Sequence, residues 1–127
     1  VSPAAMSNAF GKSRRLRRRG EFQKVFDTGQ RMRGRFLTLL MARTAEAKGP
    51  RLGIVASRKL GDSVRRNRAK RLIREVFRQN LDPAHGNLDI VVIPRSELFD
   101  ATYASLENDY RTVFARCAAR LEKRECG

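Results

Sequence analysis

Residues 65–78 read RRNRAKRLIREVFR, and no other stretch limits the fold as tightly. At 100° per residue, Ala69, Leu72, Ile73, Val76 and Phe77 gather on one side of a helix, while Asn67, Arg71, Arg74 and Arg78 line up on the other. An apolar stripe of that width has to be buried against another element, so the chain needs a layer to cover it. The polar stripe extends about 16 Å at the helical rise of 1.5 Å per residue, long enough to follow a few consecutive phosphates. Arg68 and Lys70 flank it, and Arg66 lies near the apolar boundary, where its stem can be covered. Asp62 or Ser63 offers a side-chain oxygen to the first-turn amides, which predicts a helix from Val64 to about Asn80.

Such a row is either a solvated face held by pairs such as Arg71 with Glu75, or a site for an anion. One carboxylate cannot balance so many cations, and unpaired arginines repel one another unless an anion binds them. Arginine suits that task because its planar fork can hold one phosphate with two hydrogen bonds and can stack on exposed bases. Arg58 and Lys59 extend the basic surface from the end of the preceding strand. The whole chain has the same bias: 28 Lys and Arg against 13 Asp and Glu leave +15, which calls for a polyanionic partner. No apolar run approaches the ~20 residues that span a bilayer, and no charged start followed by an apolar segment looks secretory. The expectation is a cytoplasmic protein without a membrane role.

With 127 residues, 41% of them hydrophobic and seven of them Phe, the chain suits one packed domain. Residues 1–13 are expected to be flexible, 14–123 to form the domain and 124–127 to be a tail. Val1 to Asn8 is small and mixed, and Lys12 to Arg19 (KSRRLRRR) reads as a solvated arm that RNA could order. Phe22, Val25 and Phe26 share one face of a short helix over Glu21 to Asp27, which Gly29 can end. Arg35 to Arg43 predicts a strand covered on both faces, with Phe36, Thr38 and Leu40 on one side and Leu37, Leu39 and Met41 on the other. After Gly49 and Pro50, Arg51 to Ser57 predicts a second strand, expected to pair antiparallel with the first. Leu88 to Ile93 reads as a third, buried strand. A last helix places Leu106, Tyr110, Val113, Cys117 and Leu121 on one face, with Tyr103 and Phe114 adding to it. Cys117 serves there as a small core hydrophobe, and neither it nor Cys126 has a nearby His or second Cys pair to build a metal site. The order helix, strand, strand, helix, strand, helix is that of an α+β fold.

RRNRAKRLIREVFR closely resembles the signature of the bacterial ribonuclease P protein family, in which an Arg-Asn-Arg core is followed by Lys-Arg and further arginines on one helix. The resemblance continues through EFQKVF at Glu21 to Phe26, RGRFLTLL around Phe36, RLGIVASRKLGDSV and LDIVVIPR, spanning roughly Arg14 to Arg120. It implies a two-layer α+β sandwich of three helices on a sheet of about four strands, with a left-handed βαβ crossover, a rare exception to the right-handed preference. It also implies a ribonucleoprotein endoribonuclease that removes the 5′ leader of precursor tRNA. In that family the RNA subunit holds the magnesium ions and performs hydrolysis, so the protein alone is expected to be inactive and to bind no cofactor. The implied partners are the catalytic RNA and precursor tRNA, with no protein partner. Carried over by position, Arg66, Asn67, Arg68, Lys70, Arg71 and Arg74 face the RNA, and Arg58, Lys59 and Arg78 prolong that surface. Phe22, Phe26 and Phe36 are assigned to a leader cleft between the first helix and the sheet. Leu39 stands where many members carry a tyrosine in that cleft, so weaker stacking on a leader base is expected.

Two other readings compete. A ribosomal or general structured-RNA-binding protein fits the composition equally well. A metal-dependent nuclease would need clustered carboxylates, and Asp82, Asp89, Glu97, Asp100 and Asp109 match no such spacing. His85, in AHGN, is a lone loop histidine, and Gly61 belongs to a turn without the Gly-Lys-Ser/Thr pattern of a phosphate loop.

Overall fold

The computed structural model describes residues 15–16, 18–44, 50–81 and 86–126, with side chains through residue 124. The expected flexible segment 1–13, together with Gly49, Asp82, His85 and the Cys126 side chain, lies outside the described residues. The elements are α1 (Arg19–Thr28), β1 (Gln30–Arg33), β2 (Leu37–Arg43), β3 (Arg51–Ile54), α2 (Ser63–Gln79), β4 (Leu88–Pro94) and α3 (Tyr103–Cys126). Short 3-10 turns at Arg58–Leu60 and Ser96–Asp100 precede α2 and α3.

The α+β class, the three helices and the four-stranded sheet agree with expectation. The strand order β1-β2-β4-β3 corrects the predicted pairing, because β4 lies between β2 and β3, antiparallel to the first and parallel to the second. Hydrophobicity explains the order: β2 (LTLLMAR) and β4 (LDIVVIP) are buried along nearly their whole length and take the centre, where both faces are covered. The shorter β1 and β3, half-exposed at alternate or terminal positions, take the edges. Because β3 and β4 run parallel, the link between them must cross over, and α2 is that crossover. β1 carries no strand signal in the sequence, because QRMR has one apolar residue in four.

The two sheet faces bury different sets. Leu39, Met41, Leu52, Ile90 and Val92 pack with Ala69, Ile73, Val76 and Phe77 of α2, and with Leu106, Tyr110, Val113, Cys117 and Leu121 of α3. The alternate residues Leu40, Ala42 and Val91 pack with Val25 of α1 and with Leu16, flanked by Phe22, Val55 and Ile93. Leu16 donates its amide to the Leu52 carbonyl at 3.0 Å and is 5% exposed. This part of the basic run is therefore docked along β3 rather than solvated, because a leucine among arginines finds apolar cover there.

Tyr103 is 40% exposed, outside the core expected for it, whereas Phe114 is half-buried with its ring 5.8 Å from that of Tyr110. Cys117 is buried, donates to the Gln30 carbonyl at 3.3 Å, and has its thiol pushed up to about 11 by burial. The last helix continues through most of the segment expected to be a tail, and Arg124 donates to the Thr28 carbonyl at 2.9 Å.

Candidate nucleic-acid interface

The start of α2 is held from three sides. Asp62 accepts from the Arg65 amide at 3.0 Å, as the capping pattern predicts. Gly61, with φ of 120°, makes the preceding turn in a conformation that L side chains rarely adopt. Arg65 donates through Nε to the Leu60 carbonyl at 3.0 Å and stacks its guanidinium 4.3 Å from the Phe99 ring centroid. The first arginine of the run is thus a brace, which composition could not distinguish from its neighbours.

Beyond that brace the helix divides as its periodicity requires. Ala69, Ile73, Val76 and Phe77 are buried, and Leu72 is half-buried against them. Asn67, Arg68 and Arg71 are exposed, Lys70, Arg74 and Arg78 are half-buried, and Arg58 and Lys59 are exposed on the turn before the helix. Arg66 is half-buried as expected, and its Nε is buried without a hydrogen-bond partner among the described residues.

The pair expected between Arg71 and Glu75 does not form. Glu75 accepts instead from Arg78 Nη2 at 2.6 Å and from Gln79 at 2.9 Å, and these hydrogen bonds, Gln79 first, lower its pKa. Arg58, Lys59, Arg68, Lys70, Arg71 and Arg74 consequently have no carboxylate partner among the described residues. Burial, followed by the nearby Arg15 charge, lowers the pKa of Arg74. An uncompensated cationic strip on a helix is an arrangement suited to holding phosphates.

Two concavities border the strip. A groove of about 750 Å³ between α2 and the start of α3 is lined by Val64, Asn67, Arg68, Arg71, Leu72, Glu75 and Tyr103. On the opposite edge, a cavity of about 120 Å³ brings Lys70 and Arg74 to Arg15, Phe22 and Gly53. The Phe22 ring lies directly on Gly53, where an added Cβ would come within 2.6 Å of it.

The four residues assigned to a leader cleft are not brought together. Phe22 and Phe26 belong to α1, half-buried and 40% exposed respectively. Phe36 and Leu39 are buried in the cluster shared with α2 and α3, on the far side of the sheet. Leu40 and Ala42 are the β2 residues packed with Val25 of α1, since neighbouring strand residues point to opposite faces and a one-residue difference reverses the side.

Arg51 has a role that no sequence motif marks. It faces Asp89 across the parallel β3–β4 pair, donates from Nε and Nη2 to that carboxylate at 2.8 and 2.9 Å, and reaches Glu21 of α1 at 2.7 Å. Asp89 above all raises its pKa. The signal was a charged residue at the start of each of two apolar strands, but only their adjacency turns these into a pair.

The carboxylates considered for a nuclease serve the fold. Asp89 is bound to Arg51, Glu97 lies 2.8 Å from Arg95, and Asp109 accepts the amides of Arg35 and Phe36 at 3.0 and 2.9 Å. Asp100 is exposed. Among the described residues, no three His, Cys, Asp or Glu side chains group to hold a metal ion, and no helix is long and apolar enough to cross a membrane.

The family profile described as Ribonuclease P matches residues 10–118. The chain is 39% identical to the ribonuclease P protein component of Thermotoga maritima over 93 residues, covering 73% of this chain and 79% of the relative. It is 40% identical to that of Bacillus pumilus over 107 residues, covering 84% and 90%. Among solved structures, the Staphylococcus aureus RNase P protein superposes with a TM-score of 0.72 at 32% identity, over 82% of this chain and 94% of that one. The Thermotoga maritima protein gives 0.70 at 34% identity, over 80% and 96%.

Proposed function

The chain belongs to the ribonuclease P protein family, and on that premise we propose that it binds the catalytic RNA through α2 and the 5′ leader of precursor tRNA beside α1. As a ribonuclease P protein component it forms part of a ribonucleoprotein with an RNA subunit. The observation that carries the proposal is the row of α2 cations, Arg68, Lys70, Arg71 and Arg74, without carboxylate partners among the described residues.

In this reading the chemistry would belong to the RNA subunit, and magnesium ions held by that RNA would supply charge stabilisation at the reacting phosphate. The protein contributes fixed charge. Arg68, Lys70, Arg71 and Arg74 neutralise phosphates that would otherwise require counterions, so the assembled RNA works at lower magnesium. Their placement on one helix, braced by Asp62 and Arg65, sets the orientation in which the RNA docks. The leader would pass along the Phe22 edge, where one ring and the cations Lys70 and Arg74 meet. Stacking on that ring is tolerant of sequence, as an enzyme acting on many leaders requires.

The test is cleavage of precursor tRNA at low magnesium by the protein alone, by a bacterial ribonuclease P RNA alone, and by both. The expected result is no cleavage by the protein and stimulation of the RNA. Magnesium-dependent cleavage by rigorously RNA-free protein, or absence of stimulation, would overturn the proposal.

A further inference from the structure

The groove between α2 and the start of α3 has a lining that phosphate binding alone does not explain. Val64 is 74% exposed and Tyr103 40% exposed, two of the few large apolar side chains left open to solvent, and both line this groove with half-buried Leu72. Arg68 and Arg71 stand on the same lining with Asn67, and neither arginine has a carboxylate partner among the described residues. Glu75 also lines the groove, but it is engaged by Arg78 and Gln79. At about 750 Å³ the groove lies within the range of small-ligand sites, roughly 300 to 1,000 Å³.

An apolar floor with an aromatic group, bordered by two arginines and an amide, matches an unpaired nucleotide more closely than a duplex. A duplex offers phosphates to the arginines but keeps its bases stacked inside, leaving Tyr103 and Val64 without a partner. A base turned out of a helix can lie on the tyrosine ring while its own phosphate meets the guanidinium groups, and the Asn67 amide can donate to and accept from a base edge. Charge complementarity argues against a protein segment as occupant, because such a segment would need acidic groups spaced to match both arginines.

We propose that this groove receives an unpaired nucleotide of the RNA that docks on α2, with its base on Tyr103 and Val64 and its phosphate on Arg68 and Arg71. The inference rests on α2 being the RNA platform. It adds a base-reading position to a surface otherwise limited to phosphate contacts, and it makes Tyr103 a binding residue. Burial, then the charges of Glu107 and Glu75, raises the pKa of the Tyr103 hydroxyl, so it remains protonated and able to donate at neutral pH.

The experiment uses the full chain bound to a bacterial ribonuclease P RNA, with nucleotide-resolution chemical probing and a titrated affinity for wild type, Tyr103→Phe, Tyr103→Leu, Tyr103→Ala and Arg71→Ala. Tyr103→Phe retains the ring and should preserve the footprint. Tyr103→Ala and Tyr103→Leu should expose one or a few unpaired nucleotides that the wild type protects, and Tyr103→Ala should weaken binding by about 5- to 150-fold, as for loss of one stacked base. Equal protection in all Tyr103 variants, while Arg71→Ala still weakens binding, overturns the groove and leaves the platform standing. That result holds whether the groove is empty or is taken by a protein. Full affinity in Arg71→Ala as well would remove the platform itself.

Discussion

Arg51 and Arg71 are the same residue put to opposite uses. Arg51 begins an edge strand, and its side chain is 12% exposed between the carboxylates of Asp89 and Glu21. Arg71 projects from the middle of a helix, exposed and without a carboxylate partner among the described residues. The first fastens α1 to the β3–β4 edge, while the second forms no ion pair among the described residues and is repelled by its like-charged neighbours. A net charge of +15 does not separate the two, but their partners do. Arginine that the fold has neutralised is structure, and arginine that it has left bare is available for RNA.

The largest effect should come from breaking the neutralised set. Asp89→Ala leaves Arg51 with Glu21 as its carboxylate partner among the described residues, and removing one member of a buried pair typically costs several kcal/mol. We expect a loss of about 3 kcal/mol in urea unfolding, near the low end of that range because Glu21 remains. The pKa of Arg51 is raised, so its share of this stability is present at every pH below the ordinary arginine value and does not titrate away near neutrality. A loss below about 0.5 kcal/mol, the size of an ordinary surface change, would make Arg51 no different from Arg71.

The converse should hold for the bare set. Arg68→Ala and Arg71→Ala should leave unfolding within about 0.5 kcal/mol of wild type. Each should weaken binding to the catalytic RNA by about 1.5 kcal/mol, with a salt dependence shallower by about one counterion. Arg124→Ala, whose side chain reaches the Thr28 carbonyl, should change RNA affinity less. Equal weakening by all three would mean that total charge governs binding and position does not.

Phe22 lies where the two sets meet, next to Glu21 in sequence and sharing a cavity with Lys70 and Arg74. Phe22→Ala should reduce the preference of the holoenzyme for long over short leaders by about 1 kcal/mol, the lower end for one stacked base. Affinities for the two substrates, with folding checked by circular dichroism, decide this. An unchanged ratio would assign Phe22 wholly to the packing around Gly53.

The smallest effect should come from Glu75, the carboxylate that occupies Arg78. Glu75→Gln adds one bare cation to the strip and should tighten RNA binding by less than tenfold, with a steeper salt dependence. Stability should change by no more than about 0.5 kcal/mol, since Glu75 is substantially exposed and solvent screens the pair. Its pKa is lowered, so its contribution is complete above the ordinary value of 4.5 and is lost as pH falls through the lower folded-state value. Stability curves of wild type and mutant should therefore run parallel from pH 7 to 6 and converge only in acid.

What local sequence determined is what a single helix or strand contains within itself. The two-faced α2 follows from spacing alone, as do the buried stripe of α3, the cover on both faces of β2 and the burial of β4, while the choice of Asp62 over Ser63 as the α2 cap came from the structure. The α2 motif was also enough to identify the family. Contacts between elements distant in sequence decided the rest. The antiparallel pairing expected of β2 and β3 was the reasonable local choice, but β4 is apolar on both faces and displaced β3 to the edge. The side of β2 that meets α1 depends on register, so Leu40 took the place expected of Leu39. Arg65, Arg66 and Arg68 are indistinguishable as letters. Phe99, arriving from 34 residues away, made the first a brace, burial orphaned the Nε of the second, and solvent left the third free. Charge along a chain is a local property, whereas its neutralisation depends on which carboxylates tertiary packing brings within hydrogen-bond distance.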